Sequence, residues 1–154
     1  MPKRPYKPEG WPQLIPALTV ADPRKSIEFY KKAFGFELEG QPMEMDGKIM
    51  HAELKLGQAK IMIGGEGCGD QRAPKTTGVK PGLSLYIYVE DVDALYGRAM
   101  KAGAQDEAKP EDMFWGDRAC RLTDPDGYSW WFATNVADFD PSKIPGAEAH
   151  AAAK

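Results

Sequence analysis

The strongest constraint on this chain is a pattern written twice. The stretches "ALTVADPRKSIEFYKKAFGF" (17–36) and "YIYVEDVDALYGRAMKAGAQ" (86–105) align without gaps at an offset of 69 residues, pairing Val20 with Val89, Asp22 with Asp91, Lys32 with Lys101 and Ala33 with Ala102. Each copy opens with strand-like alternation and then changes to helical spacing. Asp22 and Asp91 stand where a short carboxylate can accept the free N–H groups of a first helical turn, and Pro23 suits the first helical position. Gly35 and Gly103 are placed to end the helices in the left-handed conformation.

Turn signals follow each helix. Asp46-Gly47 and Asp126-Gly127 read as hairpin turns, because glycine supplies positive φ without steric cost. With Gly57 set against Gly127, "MHAELKLGQAKIMI" matches "CRLTDPDGYSWWFA" as strand, turn, strand. Each half is then βαβββ, about 13–65 and 82–137, and the class is α+β. The intervening "GGEGCGDQRAPKTTGVKPG" (64–82) is a connection and not a phosphate loop, since Pro74 and Pro81 stand where a helix would have to open. The "DPD" of residues 124–126 lacks the rest of a calcium loop and reads as a turn.

A chain of 154 residues with 42% hydrophobic content fits one domain, expected at 13–137 between a loose proline-containing arm (1–12) and a tail (138–154). A net charge of −3 with scattered basic residues argues against a nucleic-acid footprint. No apolar run approaches the ~20 residues that span a bilayer, and the N-terminus lacks a signal peptide's apolar core. Cys68 and Cys120 suggest neither a zinc site nor a disulfide framework. The expected location is the cytoplasm.

The two βαβββ halves, with "VADPRKSIEFYKKAFGF" in the first and "LTDPDGYSWWF" closing the second, resemble the vicinal oxygen chelate superfamily of glyoxalase I, extradiol dioxygenases and bleomycin resistance proteins. "FYKKAFGFE", "HAELKLG" and "FWGDR" are most similar to its PhnB-like branch. The resemblance implies two modules forming a curved mixed sheet cup around a small organic ligand, and a homodimer, sometimes with exchanged modules. It also implies a divalent cation held by the first and last strands of the modules. Those positions fall at Ile15, Ser84, Trp131 and either Ile61 or Met62, none of which carries an imidazole, thiolate or carboxylate. The only histidines are His51 and His150. No metal and no other cofactor is therefore expected.

Two sites remain. His51 and Glu53 are two apart on a strand and share a face, opposite Arg121 and Thr123 when the turn glycines are aligned. An imidazole beside a carboxylate suits general base chemistry, which makes this pair the candidate catalytic site. Strand parity, with the inherited metal positions facing the cup, puts Ser84, Tyr86, Tyr88 and Trp131 inside. Leu83, Leu85, Ile87, Val89, Trp130 and Phe132 then pack under the helices. The loop "MFWGD", with Met113, Phe114 and Trp115, is placed to close over the opening. Tyr86, Tyr88, Trp115, Arg121 and Trp131 are the expected ligand-binding residues, since indole and phenol rings offer apolar area with one polar handle each. Nucleophilic catalysis by Ser84 or a cysteine has no histidine partner in sequence. The leading expectation is a small-molecule binding protein. The alternatives are an enzyme working at His51 and Glu53, or a structural module.

Overall fold

A computed structural model describes residues 3–67 and 69–146; Cys68 and His150 lie outside them. The chain divides between Lys80 and Pro81 into two compact units.

The first unit holds β1 (Ala17–Val20), α1 (Pro23–Phe29), β2 (Glu37–Met45), β3 (Lys48–Leu56) and β4 (Ala59–Gly65). Asp22 accepts from the Arg24 and Lys25 amides at 3.1 and 3.3 Å, with Pro23 opening the helix as its fixed φ allows. The helix then widens into a π-helical turn (Tyr30–Phe34) that Gly35 closes at φ 79°. The sheet order is β1-β4-β3-β2, with β1 parallel to β4 and the remaining pairs antiparallel. Val20, Tyr30, Phe34, Leu54, Ile61 and Ile63 are buried and form the core of the unit. The expectation for Pro74 needs correction: it opens a short helical turn, α2 (Pro74–Thr77). Its missing N–H costs nothing at a first helical position.

The second unit repeats the plan with β5 (Ser84–Tyr88), α3 (Val92–Lys101), β6 (Gln105–Asp112), β7 (Asp117–Thr123) and β8 (Ser129–Asn135), ordered β5-β8-β7-β6. Asp91 caps α3 by accepting from the Ala94 amide at 2.9 Å. The buried core carries Trp130, Phe132, Leu122, Val92 and Leu95. Asp124 makes the β7–β8 turn rigid. One of its oxygens accepts from the Asp126 and Tyr128 amides, each at 3.0 Å, and the other accepts from Trp130 Nε1 at 2.8 Å. Both units thus place helix on one side of a four-stranded mixed sheet, an α+β arrangement.

Strand register settles which positions correspond. Met62 pairs with Ala17 and Glu53, and Trp131 pairs with Tyr86 and Arg121, so Met62 and Trp131 are counterparts. Ile61, the other candidate for that position, is buried in the core. Glu53 is consequently the counterpart of Arg121, and the turn-glycine alignment that set His51 against Arg121 is out of step by two residues. The cause is turn length: Leu56 pairs with Ala59 across two residues, whereas Thr123 pairs with Ser129 across five. Leu83 also departs from expectation. It precedes β5 and is 63% exposed, while Leu85 and Ile87 within the strand are half-buried. Among the described residues no helix is long and apolar enough to cross a membrane.

Because Trp130 is fully buried and its indole N–H is bonded to Asp124, Trp130→Ala is expected to cost about 3–5 kcal/mol in denaturant melts. Trp131→Ala, at a half-buried position on the other face of the same strand, is expected to cost clearly less. Equal losses would overturn this division of faces.

Candidate functional site

The face of the second sheet turned away from α3 carries an aromatic cluster built around an acid. Strand alternation sends Tyr86 and Tyr88 of β5, Trp131 and Ala133 of β8, and Asp117, Ala119 and Arg121 of β7 to this face. Ala119 and Ala133 are fully buried, so small side chains form the floor and large rings stand around them. Tyr86 and Trp131 lie near-parallel, their ring centres 6.1 Å apart at 20°, and Tyr88 meets Tyr86 edge-on at 5.6 Å.

Asp117 opens β7 and is only 2% exposed. Its Oδ2 accepts from the Tyr86 hydroxyl at 2.8 Å, the Tyr88 hydroxyl at 2.9 Å and Trp115 Nε1 at 3.1 Å. Its Oδ1 accepts from Asn135 Nδ2 at 3.0 Å. Trp115 Nε1 also lies 3.2 Å from the Tyr86 oxygen. The turn that delivers Trp115 is closed by Met113 N–H donating to the Asp117 carbonyl at 2.7 Å, and by Gly116 N–H donating to the Met113 carbonyl at 3.1 Å. Gly116 has φ 101°, and a Cβ there would fall 2.2 Å from the Ala137 carbonyl oxygen, so this position admits only glycine.

Burial pushes the Asp117 carboxyl upward, but the bonds from Asn135, Tyr86, Tyr88 and Trp115 outweigh it and hold the group below the usual carboxylate range. The phenols move the other way. Burial first, then the bond to Asp117 and its charge, push Tyr86 up to about 12 against an opposing effect of Trp115. Tyr88 is raised chiefly by its bond to Asp117. The site at neutral pH is therefore one carboxylate and two neutral phenols.

The structure gathers four of the five expected ligand-binding residues, Tyr86, Tyr88, Trp115 and Trp131, into this cluster. Arg121 is held at its margin. It pairs with Glu107 at 2.8 Å, donates to Ser129 Oγ at 3.0 Å, and lies 5.8 Å from the Trp131 ring centre. Glu107 also accepts from the Thr123 hydroxyl. Asp117, the centre of the site, escaped sequence reasoning, although stepping back by twos from Arg121 through Ala119 reaches it.

The open face of the first sheet is ionic instead. His51 Nε2 lies 3.4 Å from Glu53 Oε1, so this expected pair does meet. Glu53 is shared with Lys60 at 3.5 Å, and Lys60, 6% exposed, pairs more closely with Glu39 at 2.7 Å. The Trp11 ring stacks over the same ammonium, 3.4 Å from its centre. Beside this cluster Trp11, Glu39, Lys55 and Lys60 line a depression of about 500 Å³.

The inherited metal positions do not fit a divalent cation. Ile15 lies just before β1, Ile61 is buried in the core, and Met62, Ser84 and Trp131 offer at most a thioether and a hydroxyl. Among the described residues no group of three or more His, Cys, Asp or Glu side chains is gathered as a metal site. Cys120 is buried, and burial pushes its thiol up to about 11, which keeps it protonated and inert.

Comparison with known proteins matches residues 14–132 to the family model described as the Glyoxalase/Bleomycin resistance protein/Dioxygenase superfamily. An uncharacterised protein of Mycobacterium tuberculosis is 34% identical over 140 residues, covering 88% of this chain and 82% of the relative. Among solved structures, TioX from Micromonospora sp. ML1 is similar with a TM-score of 0.65 at 25% identity, over 81% of this chain and 99% of that one. A glyoxalase-related enzyme from Fulvimarina pelagi shares the fold with a TM-score of 0.58 at 22% identity, over 80% of this chain and 89% of that one.

The cage has a pH signature. Stability contributed by the raised phenols is complete below their ordinary value near 10 and is lost as pH rises through about 12 for Tyr86. The depressed Asp117 contributes above the ordinary carboxylate value, and that contribution is lost as pH falls through its lower folded value. In an alkaline titration followed by tyrosinate absorbance, Asp117→Asn is expected to shift the late phenol ionisations toward the ordinary value. A variant titrating like the wild type would contradict the cage.

Proposed function

We propose that this chain, which belongs to the Glyoxalase/Bleomycin resistance protein/Dioxygenase superfamily, binds a small organic ligand on the aromatic face of its second unit without a bound metal. One observation carries this reading. Asp117 fixes three rings by direct hydrogen bonds, and Tyr86 in turn lies along Trp131, so the contact surface is ordered before a ligand arrives. Ordering an interfacial side chain during binding costs about 0.5–1.5 kcal/mol each, and a prearranged wall avoids most of that cost. The ligand lies flat against Trp131 and Tyr86, with Tyr88 and Trp115 beside it. The chemistry of the inherited ligand positions supports metal independence. "FYKKAFGFE" and "FWGDR" support placement in the PhnB-like branch. Cysteine usage supports a cytoplasmic location, which cell fractionation tests.

The second reading is acid–base catalysis at His51 and Glu53, favoured by their 3.4 Å approach. Lys60 competes for Glu53, which makes this the weaker of the two.

An aromatic ligand found by fluorescence screening is expected to lose most of its affinity in Trp131→Ala and to keep it in His51→Ala and in the presence of chelator. Loss of binding in His51→Ala, or recovery only on adding one divalent cation, would transfer the function to the second reading. A homodimer is part of the same proposal. Each sheet has two edge strands with one side unpaired within it, β1 and β2 in one and β5 and β6 in the other, and Leu14, Met43, Met45 and Leu83 stand exposed. Light scattering is expected to give twice the chain mass at micromolar concentration, and a monomer there would refute it.

A further inference from the structure

We infer that the aromatic face selects a flat organic cation, an amidinium, guanidinium or protonated aromatic amine, in preference to its neutral or anionic analogues; this rests on the ligand-binding reading above. The argument begins with the direction of the polar hydrogens. A phenol has one O–H and an indole one N–H. At Tyr86 and Tyr88 that hydrogen is directed to Asp117 Oδ2, and at Trp115 it is shared between the same oxygen and the Tyr86 hydroxyl. The donors of all three rings are therefore turned inward. What remains toward a ligand at Tyr86 and Tyr88, which are 42% and 63% exposed, is oxygen lone pairs and ring faces. Ring faces are the negative part of an aromatic quadrupole and attract cations.

The carboxylate behind the rings adds a full charge of the same sign. All four groups that bond it are neutral, and among the described residues no lysine, arginine or histidine ion-pairs with it. Arg121, the cation on this face, is paired with Glu107 at 2.8 Å. A 2%-exposed anion without a counter-cation makes the potential over the face negative. A cationic ligand with N–H donors meets acceptors, ring faces and that potential together. A carboxylate ligand meets repulsion and no free donor from the three rings, and a neutral carbonyl ligand leaves its oxygen unpaired on burial. Flatness follows from the stacked Tyr86 and Trp131 rings, whose near-parallel planes a planar group can extend as a further layer.

The test uses three probes of one shape and different charge, benzamidinium, benzamide and benzoate, titrated calorimetrically into the full chain at low ionic strength. Benzamidinium is expected to bind about tenfold or more tightly than benzamide, the scale of a partly desolvated cation on aromatic faces, with benzoate weakest. Trp131→Ala is expected to weaken both benzamidinium and benzamide. Asp117→Asn is expected to remove the difference between them. Should that variant misfold by near-ultraviolet circular dichroism, the wild type carries the test alone. Its cation preference is expected to shrink as added salt shortens the Debye length from about 30 to about 3 Å. Equal binding of the three probes, abolished by Trp131→Ala, would overturn charge selection and leave ligand binding standing. No binding of any probe at millimolar concentration would overturn both.

Discussion

A carboxylate withdrawn from water must be surrounded by donors or it takes up a proton, and Asp117 is surrounded by four. Those donors come from β5, from the turn before β7 and from the end of β8, so a single buried charge ties together three separate pieces of the second unit. Removing it would take from the two phenols the acceptor they share and leave the Trp115 indole N–H only the Tyr86 oxygen at 3.2 Å. The aromatic surface is thus a consequence of the acid as much as of the rings.

The two units share a plan and differ in what they put on the exposed side of the sheet. Where the second has Tyr86, Trp131 and Arg121, the first has Ala17, Met62 and Glu53. Small and charged side chains leave room for Lys60 to sit between Glu39 and Glu53 under the Trp11 ring. Both faces bury a charge and answer it differently. In the first, opposite charges lie side by side, and most of the electrostatic field closes on itself. In the second, neutral donors stabilise the ion without cancelling it.

The repeat, the helix caps and the hairpins were legible in the sequence because they are local: Asp22 reaches Lys25, Asp91 reaches Ala94, and Gly35 closes its own turn. The faces of Trp130 and Trp131 followed from alternation once the resemblance had fixed which face carries the inherited metal positions. The centre of the site was not legible, because the bonds that define Asp117 join residues 31, 29 and 18 positions apart. No spacing rule connects an aspartate after a glycine to two tyrosines on a strand across a helix. Correspondence between the halves failed for a related reason. Glycine marks a turn but does not reveal its length, so setting Gly57 against Gly127 displaced β3 by two residues against β7. Leu83 was misplaced because alternation was extended past the start of β5, where the sheet no longer dictates direction.

Beyond β8 the chain folds back on the Trp115 turn. The Val136 and Ala137 amides both donate to the Gly116 carbonyl at 3.0 Å, and the Ala137 carbonyl occupies the space a side chain at 116 would need. The residues just past the last strand therefore serve as a backstop for an indole on the binding face. A purification tag or fusion partner joined directly after Asn135 would act on that indole through the main chain, although it would lie outside every strand of the sheet. Ala137, two residues after the last strand, thus belongs to the binding face through its main chain.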